Sequence, residues 1–195
     1  MISRDFEKLI NSFTKLPTVG LKSAERFAYA VINMKQEDAE SLANSILNVK
    51  NNIKLCSVCG NFTTEEICDI CSSRQSDIIC VVKEPKDISN FEKIKGFNCL
   101  FHVLNGVLSP MKNIGPDDLN INTLLKRINE GNVKEIILAL GTDIAGEATS
   151  MYLTKLLKPF NIKITRLAQG ISLGAELEYV DNATLQKAFL ERREV

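Results

Sequence analysis

Glu135-Ile136-Ile137-Leu138-Ala139-Leu140-Gly141-Thr142-Asp143-Ile144-Ala145-Gly146-Glu147-Ala148-Thr149 is the stretch on which the fold turns. An apolar run of strand length stops at a glycine and passes into a helical pattern, read here from about Glu147 to Leu157. Asp77–Val82, Asn98–Val103 and Lys163–Leu167 read as strands in the same way, and a helix opens near Asn122. Alternation of this kind over residues 77–170 specifies parallel β-α-β units, hence an α/β domain whose sheet is flanked by helices. Ligands of parallel sheets gather at the carboxyl ends of the strands. Asp143 and Glu147 fall there, and Glu84 reaches the same edge if its strand neighbours 135–140.

Upstream, residues 1–53 read as all-helical. Phe6, Leu9, Ile10 and Phe13 recur at helical spacing, as do Ala39, Leu42, Ile46, Val49 and Ile53. Between these stripes lies Leu16-Pro17-Thr18-Val19-Gly20-Leu21-Lys22-Ser23, a Pro- and Gly-containing turn followed by a helical pattern to about Met34. Residues 54–76 are polar and too few to bury a core without a staple. Residues 171–195 hold a glycine-containing loop, the run Leu177-Glu178-Tyr179-Val180 and a helix from about Asp181 to Arg193. The expected organisation is thus a small all-α domain (1–53), a cysteine element (54–76), an α/β domain (77–170) and a C-terminal segment (171–195).

The chain has 195 residues, with 24 Lys and Arg against 24 Asp and Glu. That balance excludes a polybasic protein that holds nucleic acid by bulk charge, though not a local basic site. Even the helical segment carries seven basic residues against six acidic. Tryptophan is absent and aromatics are 6%, which leaves little for extended base stacking. No apolar run reaches the ~18 residues of a membrane span, and Met1-Ile2-Ser3-Arg4-Asp5-Phe6-Glu7 has no apolar signal core, so a cytoplasmic protein is expected.

Cys56-Ser57-Val58-Cys59 and Cys68-Asp69-Ile70-Cys71 form two C-x2-C pairs eight residues apart. Four thiolates complete a closed tetrahedral zinc site, structural because no position is left for water. Gly60 suits the knuckle, which needs a residue that tolerates positive φ. The competing readings are redox-active dithiols or buried thiols. Cys80 and Cys99 sit in apolar strand runs and read as small buried hydrophobes, and the single histidine, His102, as a core or strand-end residue.

Leu16-Pro17-Thr18-Val19-Gly20 before a helix resembles a helix-hairpin-helix element, which aims backbone N–H groups at a phosphate without reading base identity. Lys22 and Arg26, four apart, share one helical face beside it. An ordinary turn between packed helices is the other reading. Helix-hairpin-helix elements have glycine where this chain has Thr18, and often proline where it has Leu21. A left-handed backbone at a β-branched Thr18 costs about 1–2 kcal/mol.

Clustered carboxylates at a sheet edge are what magnesium-dependent phosphoryl transfer needs. The arrangement resembles the Toprim domain of topoisomerases and primases, with Asp143 and Glu147 on two of its four acidic positions. Gly141 falls on the third and Lys83 on the fourth, with Glu84 one residue late. A two-metal catalytic centre is therefore not expected, and helix-start carboxylates explain Glu147 nearly as well.

The order of hairpin, four-cysteine element, Toprim-like domain and short C-terminal segment resembles the RecR family of bacterial recombination proteins. The likeness is carried by Leu16 to Ala24, the four cysteines, and Cys80-Val81-Val82 with Pro85 and Asp87. Ser109-Pro110, Ile114-Gly115-Pro116-Asp117-Asp118, Gly146-Glu147-Ala148-Thr149, and Leu177 to Asp181 with Thr184-Leu185 complete it. In the C-terminal loop this chain has Ser172 where proline is usual and Ala175 where a second glycine is common.

The resemblance implies a non-catalytic mediator of DNA recombination and repair, cytoplasmic and nucleoid-associated. Such a protein binds DNA without sequence preference, acts with RecO and RecF, and helps RecA load on single-stranded DNA at gaps. It implies a ring-like homotetramer and one structural Zn2+ on Cys56, Cys59, Cys68 and Cys71. DNA contacts map to Lys22 and Arg26 beside Thr18 and Gly20, and Glu84, Asp143 and Glu147 form a partner-docking surface on which Mg2+ stays open. The alternative is a magnesium-dependent nuclease or primase-like enzyme.

Overall fold

A computed structural model describes residues 3–192 of the chain. The fold divides into two compact units, Met1–Ile53 and Lys54–Val195. The first holds helices α1 (Arg4–Phe13), α2 (Leu21–Ile32) and α3 (Gln36–Asn52). Ala24 and Ala28, one turn apart on α2, are fully buried, and their small side chains let α1 approach through Ile10. Phe6, Leu9, Phe13 and Val19 close this small core, and Phe6 meets Tyr29 edge-on with ring centroids 4.8 Å apart. The stripe that predicts α3 forms a helix, but none of its residues is buried. Leu42, Ile46 and Val49 are 41%, 58% and 54% exposed.

The second unit opens with a short antiparallel pair, β1 (Lys54–Leu55) and β2 (Phe62–Thr63), and the helix α4 (Asp69–Ser73). Its body is a sheet of β3 (Ile78–Val82), β4 (Leu100–Val103), β5 (Glu135–Ala139) and β6 (Lys163–Arg166). All neighbours are parallel, as the alternating pattern predicts, and the order is β4-β3-β5-β6. Each strand is one or two residues shorter than its apolar run, because flanking backbone groups serve other partners. The Asp77 carbonyl, for example, accepts from Lys134 and Glu135.

Helices α5 (Pro85–Phe91), α6 (Ile121–Glu130) and α7 (Ile144–Leu157) follow β3, precede β5 and follow β5. Ile79, Val81, Ile136 and Leu138 project into the larger core with Leu124, Ile128, Leu153 and Leu157. The alternate residues Cys80 and Val82 join Phe101 and Val103 in a second core, against Ile88 and the rings of Phe91 and Phe97. With both faces covered, the strands read as continuous apolar runs.

Helix α7 starts three residues before the expected Glu147, because Asp143 caps it by accepting from the Gly146 N–H at 2.9 Å. Gly146 is required there, since a Cβ would lie 2.0 Å from the Gly141 carbonyl oxygen. Helix α5 is too short for its periodicity to show. It rests on Pro85 in the first turn and on Asp87, which accepts from the Glu84 N–H at 2.9 Å. Leu177–Tyr179 forms a single 3-10 turn before α8 (Asn182–Leu190), and the expected end of that helix at Arg193 lies outside the described residues. No helix among the described residues is long and apolar enough to cross a membrane.

His102 is fully buried, as expected of a core residue. Its Nε2–H donates to the Asn120 carbonyl at 2.6 Å, and Nδ1 faces an Arg127 guanidinium nitrogen at 3.4 Å. Burial lowers its pKa from 6.5 to about 4, against the pull of the Asn120 carbonyl, and the Arg127 charge lowers it further. The unfolded chain therefore takes this proton near 6.5, whereas the native chain takes it only near 4. Stability linked to the neutral ring is full above the unfolded pKa and drains away as pH falls towards the folded one. Urea unfolding should lose about 2 kcal/mol between pH 7 and pH 5. His102→Gln should abolish that slope whatever its stability at pH 7.

Candidate metal centre and nucleic-acid interface

The sulfur atoms of Cys56, Cys59, Cys68 and Cys71 all lie within 4.8 Å of one another. Those of Cys59 and Cys68 are 3.5 Å apart. Tetrahedral zinc with ~2.3 Å bonds to sulfur would set its ligands about 3.8 Å apart, so the four fit the ion. The first pair sits on the knuckle between β1 and β2, where the Gly60 N–H returns to the Cys56 carbonyl at 2.9 Å. Gly60 has φ of 77°, as the sequence leads one to expect. A Cβ there would lie 2.6 Å from the Asn120 amide nitrogen and 2.9 Å from the Val103 carbonyl oxygen. Cys68 directly precedes α4 and Cys71 lies within it.

The electrostatics call for a cation. Cys59 is driven strongly upward by the hydrogen-bonded Cys71 thiol and by burial, and Cys68 is driven up by burial. Cys56 is lowered to about 7: burial opposes ionisation, but backbone N–H groups of Cys68, Cys59 and Val58 outweigh it. Four crowded sulfurs cannot all ionise beside one another without a divalent ion at their centre. Cys80 lies apart from this group, and burial pushes its thiol up to about 12.

Glu84, Asp143 and Glu147 do reach one sheet edge, because β3 pairs directly with β5 and Val82 stands beside Ala139. Each carboxylate is already engaged. Glu84 pairs with Lys86 at 2.5 Å and Lys83 at 3.2 Å, and hydrogen bonds from these two lysines, Lys86 first, lower its pKa. Asp143 caps α7. Glu147 receives both arms of the Arg166 guanidinium, at 2.5 and 3.0 Å, and this bond holds its pKa down. Among the described residues, the four cysteines are the only group of three or more potential ligands within reach of one ion. Sequence reasoning does not single out Arg166. The available signal is its register, since it stands beside Leu138 on the neighbouring strand.

In the first unit Thr18 takes the left-handed conformation, with φ of 66°, while Gly20 is extended at φ of −79°. The turn is closed by Val19 N–H donating to the Leu16 carbonyl at 3.2 Å. Gly20 is the residue before α2 and has no side chain to cap it, so the first-turn amides lack a capping acceptor. Lys22 and Arg26 are exposed, two residues round the helix from buried Ala24 and Ala28 and hence on its opposite face. Neither forms an ion pair among the described residues.

Comparison with known proteins matches four successive stretches of the chain. Residues 6–50 match the family described as RecR, helix-hairpin-helix, and residues 53–73 match the four-cysteine zinc finger domain of RecR. Residues 77–168 match the Toprim domain, and residues 170–193 match RecR, C-terminal. Recombination protein RecR of Enterococcus faecalis is 49% identical over 190 residues, 96% of each chain. That of Clostridium perfringens is 51% identical over 191 residues, 97% of this chain and 96% of the relative.

The chain belongs to the RecR family. The RecR zinc-finger match encloses all four cysteines, and with their geometry it assigns one structural zinc per chain. The RecR helix-hairpin-helix match encloses Thr18, Gly20, Lys22 and Arg26.

Elemental analysis of reduced, dialysed protein should therefore find one zinc per chain, and Cys59→Ser should lose most of it. Thr18→Gly removes left-handed strain of about 1–2 kcal/mol and adds unfolded-chain entropy of about 0.5–1 kcal/mol. The net expectation is a gain of up to about 1.5 kcal/mol in unfolding free energy. Thermal unfolding of the variant checks it, and a loss of stability would mean the Thr18 side chain makes a compensating contact.

Proposed function

We propose that the chain is a non-catalytic, DNA-binding mediator of recombination and repair. Its role is to act with RecO and RecF in helping RecA load on single-stranded DNA at gaps, in the cytoplasm and at the nucleoid. The observation that carries the reading is the exposed Lys22 and Arg26 pair beside the uncapped start of α2, which suits a phosphate and not a base edge. The proposed division of labour is DNA contact by residues 1–53, a zinc-held element at 54–76, a Toprim-like docking domain at 77–170 and subunit contact through 171–195.

Two further features support it. The sheet-edge carboxylates are spent on Lys83, Lys86, Arg166 and a helix cap, which leaves a Mg2+ centre without convergent ligands. The apolar residues Leu42 and Ile46 of α3, and Phe189 and Leu190 of α8, are exposed, as subunit contacts of a homotetrameric ring would require.

Binding of the full chain with RecO to gapped or single-stranded DNA should weaken as salt rises. Lys22→Ala with Arg26→Ala should lower affinity more than about tenfold and flatten the log K against log salt slope by about 1.4 per protomer engaged. Unchanged affinity would remove the hairpin from the interface. Metal-dependent strand cleavage that disappears in Glu147→Ala would replace this function with the enzymatic one.

A further inference from the structure

Strand β4 is an edge of the sheet, and such edges invite pairing with another chain. The Leu104 N–H donates to Val82 on β3, so Leu100, His102 and Leu104 face their neighbour and Cys99, Phe101 and Val103 face outward. Every one of those outward carbonyls is occupied. Cys99 O accepts from Arg74 at 2.9 Å, Phe101 O from Arg127 at 2.7 Å, and Val103 O from the Asn120 amide at 3.0 Å. The outward Val103 N–H donates to the carbonyl of Cys59 at 2.7 Å. Asn105 fastens the same knuckle by donating to the Gly60 carbonyl at 3.3 Å.

Two of these four guards hang on the zinc. Cys59 is itself a ligand, and Arg74 follows directly on α4, the helix that carries Cys71. Arg74 is aimed by Glu92, which takes both its arms at 2.8 Å. The segment they cover, Cys99-Leu100-Phe101-His102-Val103-Leu104, has no charged residue and no Pro or Gly, the composition of a self-pairing strand.

We propose that the zinc knuckle is the lock on this edge: bound zinc holds the Cys59 carbonyl and Arg74 against β4, and zinc loss opens the strand to pairing with a second copy of the chain. The centre thereby controls the state of the sheet as well as the fold of its own short element. The inference rests on the zinc centre alone and is independent of DNA binding.

The test uses full-length, reduced protein, with zinc withdrawn by a chelator and the loss confirmed by elemental analysis. Hydrogen exchange at the Val103 amide should accelerate at least tenfold, while the β5 amides of Ile136 and Leu138 keep their protection. Sedimentation should then show assemblies larger than those of the zinc-loaded protein, growing with concentration, and restored zinc should reverse the exchange. Asn105→Ala, which touches no ligand, should retain its zinc and give a smaller acceleration at Val103. Unchanged Val103 protection after zinc loss overturns the proposal. So does equal loss of protection across β3 and β5, or an opened Val103 amide without larger assemblies.

Discussion

The direct parallel pairing of β3 with β5 is the constraint from which the second unit follows. It buries Ile79, Val81, Ile136 and Leu138 on one face and Cys80 and Val82 on the other. Both faces must then be covered by helices, and the chain can return to a parallel neighbour only through a crossover. The same pairing brings the turns after Val82 and Ala139 to one edge, which is why Glu84, Asp143 and Glu147 share a rim. Pairing β3 with β4 on its other side makes β4 an edge, and the zinc knuckle is seated there through the Val103 N–H.

A shared rim does not make a metal site. Carboxylates bind a divalent ion well when their charge is otherwise uncompensated and their oxygens converge. Here Arg166 supplies a planar fork to Glu147, a geometry that uses both oxygens of the carboxylate at once. Asp143 spends an oxygen on the Gly146 N–H, which α7 needs for its first turn. Position 141, where the third acid is missing, lies against the helix cap, since a Cβ there would come within 3.3 Å of the Asp143 carboxylate oxygen. The edge has thus been given over to helix capping and ion pairing, roles that hold the β5–α7 turn in place.

Much of this was legible in the sequence because the relevant signals are local. Strand and helix alternation, two C-x2-C pairs and a glycine after Cys59 each depend on neighbours a few residues away, and the sheet, cysteine cluster and positive φ of Gly60 follow them. The left-handed backbone at Thr18 was foreseeable only as a condition, since its realisation depends on how Val19 packs against Ile10 and Ala24. What escaped was non-local. Arg166 meets Glu147 across 19 residues, and Asn120 reaches Val103 across 17. The stripe of α3 shows the same limit, because a 3.6-residue period reports that a face is apolar and not what covers it.

The balance of 24 basic and 24 acidic residues acquires a sharper meaning beside these contacts. Arg74, Lys83, Lys86, Lys134, Lys163 and Arg166 are all paired with carboxylates, so part of the second unit's positive charge is neutralised within it. Lys22 and Arg26 are without such partners among the described residues, on a segment with only one net positive charge. Two phosphate contacts give little affinity at physiological salt, because each contributes one counterion's release. Several such pairs on one assembly bind differently: once the first engages, the others meet the same strand at high effective concentration. For a neutral chain acting in the proposed role, assembly with copies of itself or with a partner is therefore the physical condition for holding DNA.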